Sequence, residues 1–193
     1  MNYYLKLFDI PLIHFHASED SNDPEITILW IDESNRNLLP LDMGEPTEDN
    51  ISKWLQRRTI PKNRAFVRNF LAKCGLSVNR PMSIIFVSKG LSLNDSYWVV
   101  DESFEGQFDN YNLYEDRFSQ VLAYIAFTGY GSSIRSSLAS SPEFTTNGML
   151  PKCWRRISGR ITLYKGGTSG ALNTGKEPYS EYYASLVAKA MIS

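Results

Sequence analysis

The stretch Met149-Leu-Pro-Lys-Cys-Trp-Arg-Arg-Ile-Ser-Gly-Arg-Ile-Thr-Leu-Tyr-Lys165 decides the fold of the last third of the chain. Ser158-Gly159 is a short polar turn between two runs of strand-forming residues. The pattern predicts an antiparallel hairpin that pairs Met149 to Arg156 with Arg160 to Tyr164. Alternation along the second strand places three residues on one face: Ile161, Leu163 and Lys165. That face therefore ends in a cation.

The lysine at the end of this face needs an anion or solvent, because an unpaired buried ammonium is too costly to keep. Two anions are candidates: the phosphate of a bound nucleotide, and a carboxylate of the next helix. That helix is predicted to begin near Glu177, with Pro178 in its first turn. Glu181 lies four residues after Glu177 on the same helical face, so either acid can reach back toward Lys165.

Three segments of this region match one protein family. They are Thr145-Thr-Asn-Gly-Met-Leu-Pro-Lys152, Leu163-Tyr-Lys-Gly166 and Glu177-Pro-Tyr-Ser-Glu-Tyr-Tyr183. With them the chain resembles the nucleotide-binding lobe of the HipA-like serine/threonine kinases, including the CtkA-type bacterial proteins. The similarity covers Ser141 to Ala190 and is weaker upstream, where two segments carry it: Arg58-Thr-Ile-Pro61 and Gly90-Leu-Ser-Leu-Asn-Asp-Ser-Tyr-Trp98.

The resemblance implies an ATP site with magnesium. In that site a loop covers the phosphates, a lysine contacts their oxygens, and a carboxylate holds the lysine. It points to Lys165 as the lysine and to Glu181 as its partner, while Glu177 would favour the helix N-terminus by its charge. The loop and its end would also contact the nucleotide: Thr145, Thr146, Asn147, Gly148 and Lys152.

The proton-accepting and magnesium-binding acids of such kinases come from a larger lobe that follows the partner helix. No aspartate follows Asp116 in this chain. We therefore expect no catalytic residue here and no phosphotransfer by this chain alone. The helix carries an apolar stripe: Tyr183, Leu186, Val187, Ala190 and Met191. We expect it to pack against a C-terminal catalytic lobe or a separate partner protein, and an antitoxin-like protein is a further candidate partner.

The composition is that of an ordinary globular protein, with 42% hydrophobic residues, 21% charged residues and a formal net charge of -1. No apolar run is long enough to span a bilayer, and the N-terminus does not read as a signal peptide, so we expect a cytoplasmic protein without membrane contact. Cys74 and Cys153 give neither a disulfide framework nor zinc spacing, and each is predicted to be a small core residue.

The fold class predicted for the chain is α+β, with mostly antiparallel strands and packed helices. We divide it into an α+β module (1–130), a Ser-rich linker (131–142) and a partial small lobe (143–193). Strands are predicted at Tyr3 to Phe8, Ile13 to His16 after a break at Pro11, Glu25 to Ile31, Ser83 to Ser88 and Tyr97 to Val100. Helices are predicted at Ile51 to Arg58, from Pro61 to Gly75, and at Arg117 to Phe127 with Val121, Leu122, Ile125 and Ala126 inward.

A basic segment suggests a third function besides the kinase lobe and a non-catalytic interaction module that binds a kinase or toxin partner. Between Ile51 and Arg80 the chain has eight Lys and Arg residues and no acid. Such a segment can neutralise nucleic-acid phosphates. No recognition-helix pattern accompanies it, so we favour a solvated or internally paired face and expect no nucleic-acid partner. His14 and His16 share one strand face, but no clear third metal ligand is near them in the sequence.

Overall fold

A computed structural model describes residues 1–19, 21–115, 118–134, 140–168 and 175–192. The predicted α+β class is confirmed, since a four-stranded antiparallel sheet and a two-stranded hairpin combine with several helices. Within the described ranges, no helix has both the length and the hydropathy that a membrane span requires.

The sheet is built from four strands in the order β3-β2-β1-β4. They are β1 (Asn2–Leu7), β2 (Ile10–Ala17), β3 (Ile26–Ile31) and β4 (Tyr97–Asp101). The prediction that Pro11 breaks the second strand is wrong. Pro11 lies inside β2 opposite Lys6, where the register shifts between Leu5 and Lys6. An irregularity of this kind accommodates a residue that has no N–H to donate to the ladder.

The helices α1 (Glu48–Arg57), α2 (Val67–Lys73) and α4 (Gln120–Thr128) agree with the predicted positions but differ in extent. Pro61 lies outside α2, which begins only after Phe66 with its left-handed φ of 62°. In α4, Val121 is exposed although the pattern placed it inward, and Arg117 lies outside the described residues. A 3₁₀ turn occupies Glu33–Leu38.

The helix α3 (Pro81–Ser88) overturns the predicted strand at Ser83 to Ser88. Pro81 occupies the first turn, where its missing N–H costs nothing. Met82 and Ile85 pack into the core under the sheet, while Ile84 packs into a second core on another side. A short apolar run that is buried on more than one side has no clear period, so its sequence cannot separate a helix from a strand.

Two large cores hold these elements together. The first lies between the sheet, α1 and α3, and it buries Phe15, Trp54 and Leu55. The second joins α2, α3 and α4, and Phe144 belongs to it, with its ring centroid 5.1 Å from that of Phe70. Of the Ser-rich segment, residues 131–133 are exposed and residues 135–139 lie outside the described ranges. Its last residues, 140–142, are buried together with residues 143–145. The division into module, linker and lobe stays a prediction.

The C-terminal region consists of β5 (Lys152–Ile157), β6 (Arg160–Lys165) and α5 (Glu177–Ile192). The predicted hairpin is confirmed. Its turn residues Ser158 and Gly159 have φ values of 48° and 77°, the signs that a two-residue type I′ turn requires. No residue of α5 is buried. This helix therefore contributes almost nothing to either core.

Candidate functional site

The site is built on one face of the hairpin. Lys152 at the start of β5 pairs directly with Lys165 at the end of β6. Residues opposite each other in an antiparallel pair project from the same face of the sheet. Two ammonium groups therefore share the end of the hairpin that lies nearest to α5, although like charges repel at this separation.

Helix α5 supplies the carboxylate for one of these lysines. Lys165 Nζ donates a hydrogen bond to Glu181 Oε2, and the two groups form an ion pair. Glu177 makes a different contact, since its carboxylate accepts hydrogen bonds from the backbone N–H of Thr168 (3.2 Å) and from the hydroxyl of the same residue. The pairing predicted for Lys165 with Glu181 is thus confirmed as geometry. The predicted contact of this pair with a bound nucleotide stays a prediction.

A close approach of backbone places α5 beside β6. A Cβ atom at Gly167 would lie 2.3 Å from the carbonyl oxygen of Gly175, just before α5. Gly166 donates its N–H to the carbonyl of Pro151 at 2.7 Å. Gly167 therefore allows this backbone contact with Gly175, where a side chain would clash.

The predicted phosphate loop folds over Lys152. The ammonium of Lys152 donates to the carbonyl oxygen of Asn147 at 2.8 Å. Gly148 has a φ of 98°, and a Cβ there would lie 2.3 Å from Lys152 Nζ. Only a glycine can therefore occupy this position while the lysine holds the loop. Asn147 and Gly148 are exposed and available to a ligand.

The two threonines of the loop use their hydroxyls inside the protein. Thr145 donates to the carbonyl oxygen of Leu91 at 2.7 Å. Thr146 donates to the carbonyl of Pro142 at 2.5 Å, and its Oγ1 accepts from Trp154 Nε1 at 2.8 Å. Neither hydroxyl is free to meet a phosphate in this arrangement. The two threonines position the loop, and Asn147 and Gly148 form its accessible part.

Arg64 is a central residue that the sequence did not single out. Its guanidinium is buried and donates to the carbonyl oxygens of Thr146 (3.0 Å) and Lys152 (2.5 Å), at the two ends of the loop. Burial lowers the pKa of Arg64 to about 10, which still leaves it charged at neutral pH. No sequence signal separates Arg64 from the other basic residues between Ile51 and Arg80. Only the fold shows that it holds the loop.

Glu143 is the second residue that the sequence missed. Its carboxylate is fully buried, accepts a hydrogen bond from the Ser141 hydroxyl, and accepts the backbone N–H of Trp154 at 3.0 Å. Burial raises the pKa of Glu143, while these hydrogen bonds act in the opposite direction. A carboxylate with these partners fastens the first strand of the hairpin to the second core.

The site is electropositive. Burial is the main cause that lowers the pKa of Lys152, and repulsion from Arg64 and Lys165 adds to it, while Glu181 opposes them. Three cations thus lie within electrostatic range of one another, and Glu181 and the buried Glu143 only partly offset them. Such a cluster favours the binding of an anion, above all one with several charged oxygens.

Most of the basic residues outside this site have partners. Lys53 pairs with Asp49 (2.6 Å) and Arg57 with Asp42 (3.4 Å). Arg58 makes a two-pronged contact with Asp95, at 2.9 and 2.5 Å. Internal pairing of this kind reduces the charge that the segment offers to a polyanion.

The remaining sequence candidates have local partners as well. His14 Nε2 lies 3.3 Å from Glu102 Oε1, and His16 Nδ1 lies 3.0 Å from Asn2 Oδ1. Within the described residues, no group of three His, Cys, Asp or Glu side chains could hold a metal ion. Comparison of the chain with protein-family models, with curated protein sequences and with solved structures gave no match.

Proposed function

We propose that this chain is the nucleotide-binding part of a HipA-like protein serine/threonine kinase. Lys165 would contact the phosphates of ATP, Glu181 would hold Lys165 in place, and the loop from Thr145 to Gly148 would cover the phosphates. The observation that carries the proposal is the ion pair between Lys165 and Glu181, which joins a strand to the following helix as kinase lysine–glutamate pairs do.

The surroundings of this pair suit a triphosphate. Lys152 and Arg64 add positive charge beside Lys165, and the exposed Asn147 and Gly148 allow a phosphate to approach the backbone. On binding, phosphate oxygens would replace the Asn147 carbonyl as the partner of Lys152. ATP supplies the transferable phosphoryl group, and these residues orient it and neutralise its charge.

Magnesium does not fit the carboxylates of this site. Glu181 is paired with Lys165, Glu177 with Thr168, and Glu143 is buried under the hairpin. The acids that bind magnesium and accept the substrate proton would have to come from a further lobe or from a partner. We therefore propose no catalytic residue within this chain, and no phosphotransfer by the chain alone.

A titration of the ¹⁵N-labelled chain with ATP tests the proposal. We expect amide shifts at Asn147, Gly148, Lys152 and Lys165, and saturation only at millimolar ATP, because this chain supplies only some of the contacts that the proposed site needs. Lys165→Ala should remove most of the response. Arg160→Ala is the matched control, since Arg160 is an exposed cation at the far end of the same strand. Equal responses of the two variants, or no shift at these residues, would refute the proposed nucleotide site.

A second candidate function is a non-catalytic module that binds a partner protein through α5. The observation in its favour is the exposure of large apolar side chains along this helix: Tyr179, Tyr182, Tyr183, Leu186, Val187, Met191 and Ile192. The ATP titration separates the two candidates, because a module needs no response at Lys165. A partner helix or lobe bound to α5 would instead shift the amides of residues 177–192.

A further inference from the structure

We infer that the face of the hairpin opposite to Lys165 forms a separate site for a small aromatic anion. Cys153 and Tyr164 pair across the strands one position away from the Lys152–Lys165 pair. Neighbouring positions along a strand project to opposite faces. The two sites therefore lie on different sides of the same two strands, and this one is independent of the proposed kinase function.

A cavity of about 500 Å³ lies between this face and α4. Its volume falls within the roughly 300–1,000 Å³ that is typical of small-molecule pockets. Its lining includes the buried Cys153 and also Tyr164 from the hairpin, with Tyr124 and Phe127 from α4. The pocket is a concave gap between two elements that both pack into the fold.

The cavity is lined by aromatic side chains that do not belong to the hydrophobic cores. Tyr124 is 52% exposed and Tyr164 is 44% exposed. Exposed rings that converge on one cavity offer a planar apolar ligand two surfaces for stacking. They indicate that the body of the ligand is flat and apolar.

The charges of the cavity point to an anion. Arg155 and Arg156 line it, and its described lining contains no acidic side chain. Arg156 is fixed in place, since it donates to the carbonyl of Tyr114 at 2.6 Å and lies over the ring of Phe118. Arg155 forms no salt bridge with any carboxylate in the part of the chain that is described. Its guanidinium contacts the neighbouring Cys153 thiol, a weak hydrogen-bond partner that an incoming oxyanion can replace.

These features together select the class of ligand. A guanidinium binds a carboxylate or a phosphate through two parallel hydrogen bonds, and its planar face stacks on rings. A ring that carries one such oxyanion satisfies both the aromatic walls and Arg155. Aromatic carboxylates and aryl phosphates share this chemistry.

Phenyl phosphate is a suitable probe, and its binding can be followed by NMR titration of the ¹⁵N-labelled chain. Inorganic phosphate and phenol, titrated separately, represent the two halves of the probe. We expect shifts at Tyr124, Arg155 and Tyr164 that are larger than with either partial ligand, whereas any shift at Lys152 should be no larger with phenyl phosphate than with inorganic phosphate. Arg155→Gln should weaken binding about tenfold, the effect of one lost charge-assisted contact. Lys176→Gln, which removes an exposed cation outside the hairpin and outside the cavity lining, should leave the affinity unchanged.

Tyr124→Ala provides a second variant that tests the ring contact without removing a buried side chain, and it should also weaken binding. Lys165→Ala should bind the probe normally, so that failure of the kinase proposal and failure of this one remain distinct. The inference is overturned if Arg155→Gln binds as well as the unchanged chain. Shifts that inorganic phosphate reproduces in full, or no shift up to roughly 10 mM probe, would overturn it as well.

Discussion

Helices α1 and α5 both carry large apolar side chains, but these side chains are buried in α1 and exposed in α5. Ile51, Trp54 and Leu55 of α1 are buried under the sheet. No side chain of α5 is buried, and the contacts described for this helix are polar, through Glu181 and Glu177. The comparison shows that one part of the chain is held by apolar burial and the other by surface polar contacts, which are worth only about 0–1 kcal/mol each.

The difference bears directly on function. A helix of 16 residues has little stability of its own in water, so its position depends on what it touches. In α5 the apolar side chains are left uncovered while Glu181 is directed to Lys165. The geometry of the proposed nucleotide site therefore rests on a helix that has no buried side chain, and a partner that covers α5 would also fix that site.

The largest expected effect comes from shortening a buried side chain of α1. Leu55→Ala removes a fully buried leucine and leaves a cavity, so we expect the free energy of unfolding to fall by about 2–5 kcal/mol. Urea denaturation followed by tryptophan fluorescence measures this change. The matched control is the same substitution in α5. Leu186→Ala should change the stability by less than about 0.5 kcal/mol, because Leu186 is exposed. Similar losses for both variants would contradict the comparison.

The sequence predicted those features that depend on local patterns. Alternation around Ser158-Gly159 specified the hairpin. The residues alone left both Glu177 and Glu181 open as partners of Lys165, and only the family resemblance pointed to Glu181. The sequence-based prediction failed where tertiary contacts decide. The run from Ile84 to Val87 was predicted as a strand because burial on more than one side removes the helical period. The structure has a helix there, α3, whose side chains pack into both cores.

The candidate site shows the same limit. Arg64 and Glu143 hold the two ends of the loop and the first strand, but each contacts residues that are remote in sequence or hidden in the core. From the sequence alone, Arg64 cannot be told apart from the basic residues around it. Glu143 likewise appears only as an acid at the end of a serine-rich segment. The amphipathic pattern of α5 likewise gives its apolar face but not what covers it.

The second largest expected effect concerns Glu143, which joins the C-terminal hairpin to the second core. Glu143→Ala leaves the partly buried N–H of Trp154 and the buried Ser141 hydroxyl without their acceptor. We expect a loss of about 1–3 kcal/mol in the free energy of unfolding, the usual cost of an unsatisfied buried polar group. Hydrogen exchange should locate the weakening in β5 rather than in β1. A uniform loss across both strands would contradict a role at the junction.

Glu143→Gln keeps the size of the side chain but removes its ability to ionise, so it tests the effect of the charge on the pH dependence of the free energy of unfolding. Burial raises the pKa of Glu143 in the folded protein above its unfolded value. Between those two pKa values the folded state binds more protons than the unfolded state, so this residue's contribution is full at low pH and is lost as the pH rises through the folded pKa. The glutamine variant lacks that loss. We expect its stability relative to the parent protein to improve as the pH increases from 4.5 toward neutrality, as urea midpoints would show.

The smallest expected effect concerns the contact that defines the proposed site. Lys165 and Glu181 have side chains 31% and 50% exposed, so water screens their attraction, and Lys165→Ala should lower global stability by less than about 1 kcal/mol. The local effect should be much clearer, because α5 has few other anchors. Amide exchange of residues 177–192 should accelerate in Lys165→Ala and Glu181→Ala alike, and the double variant should exchange no faster than either single variant, as expected for partners in one contact. Additive acceleration would mean that each side chain holds the helix separately, and the lysine–glutamate pair would then lose its place as the link between hairpin and helix.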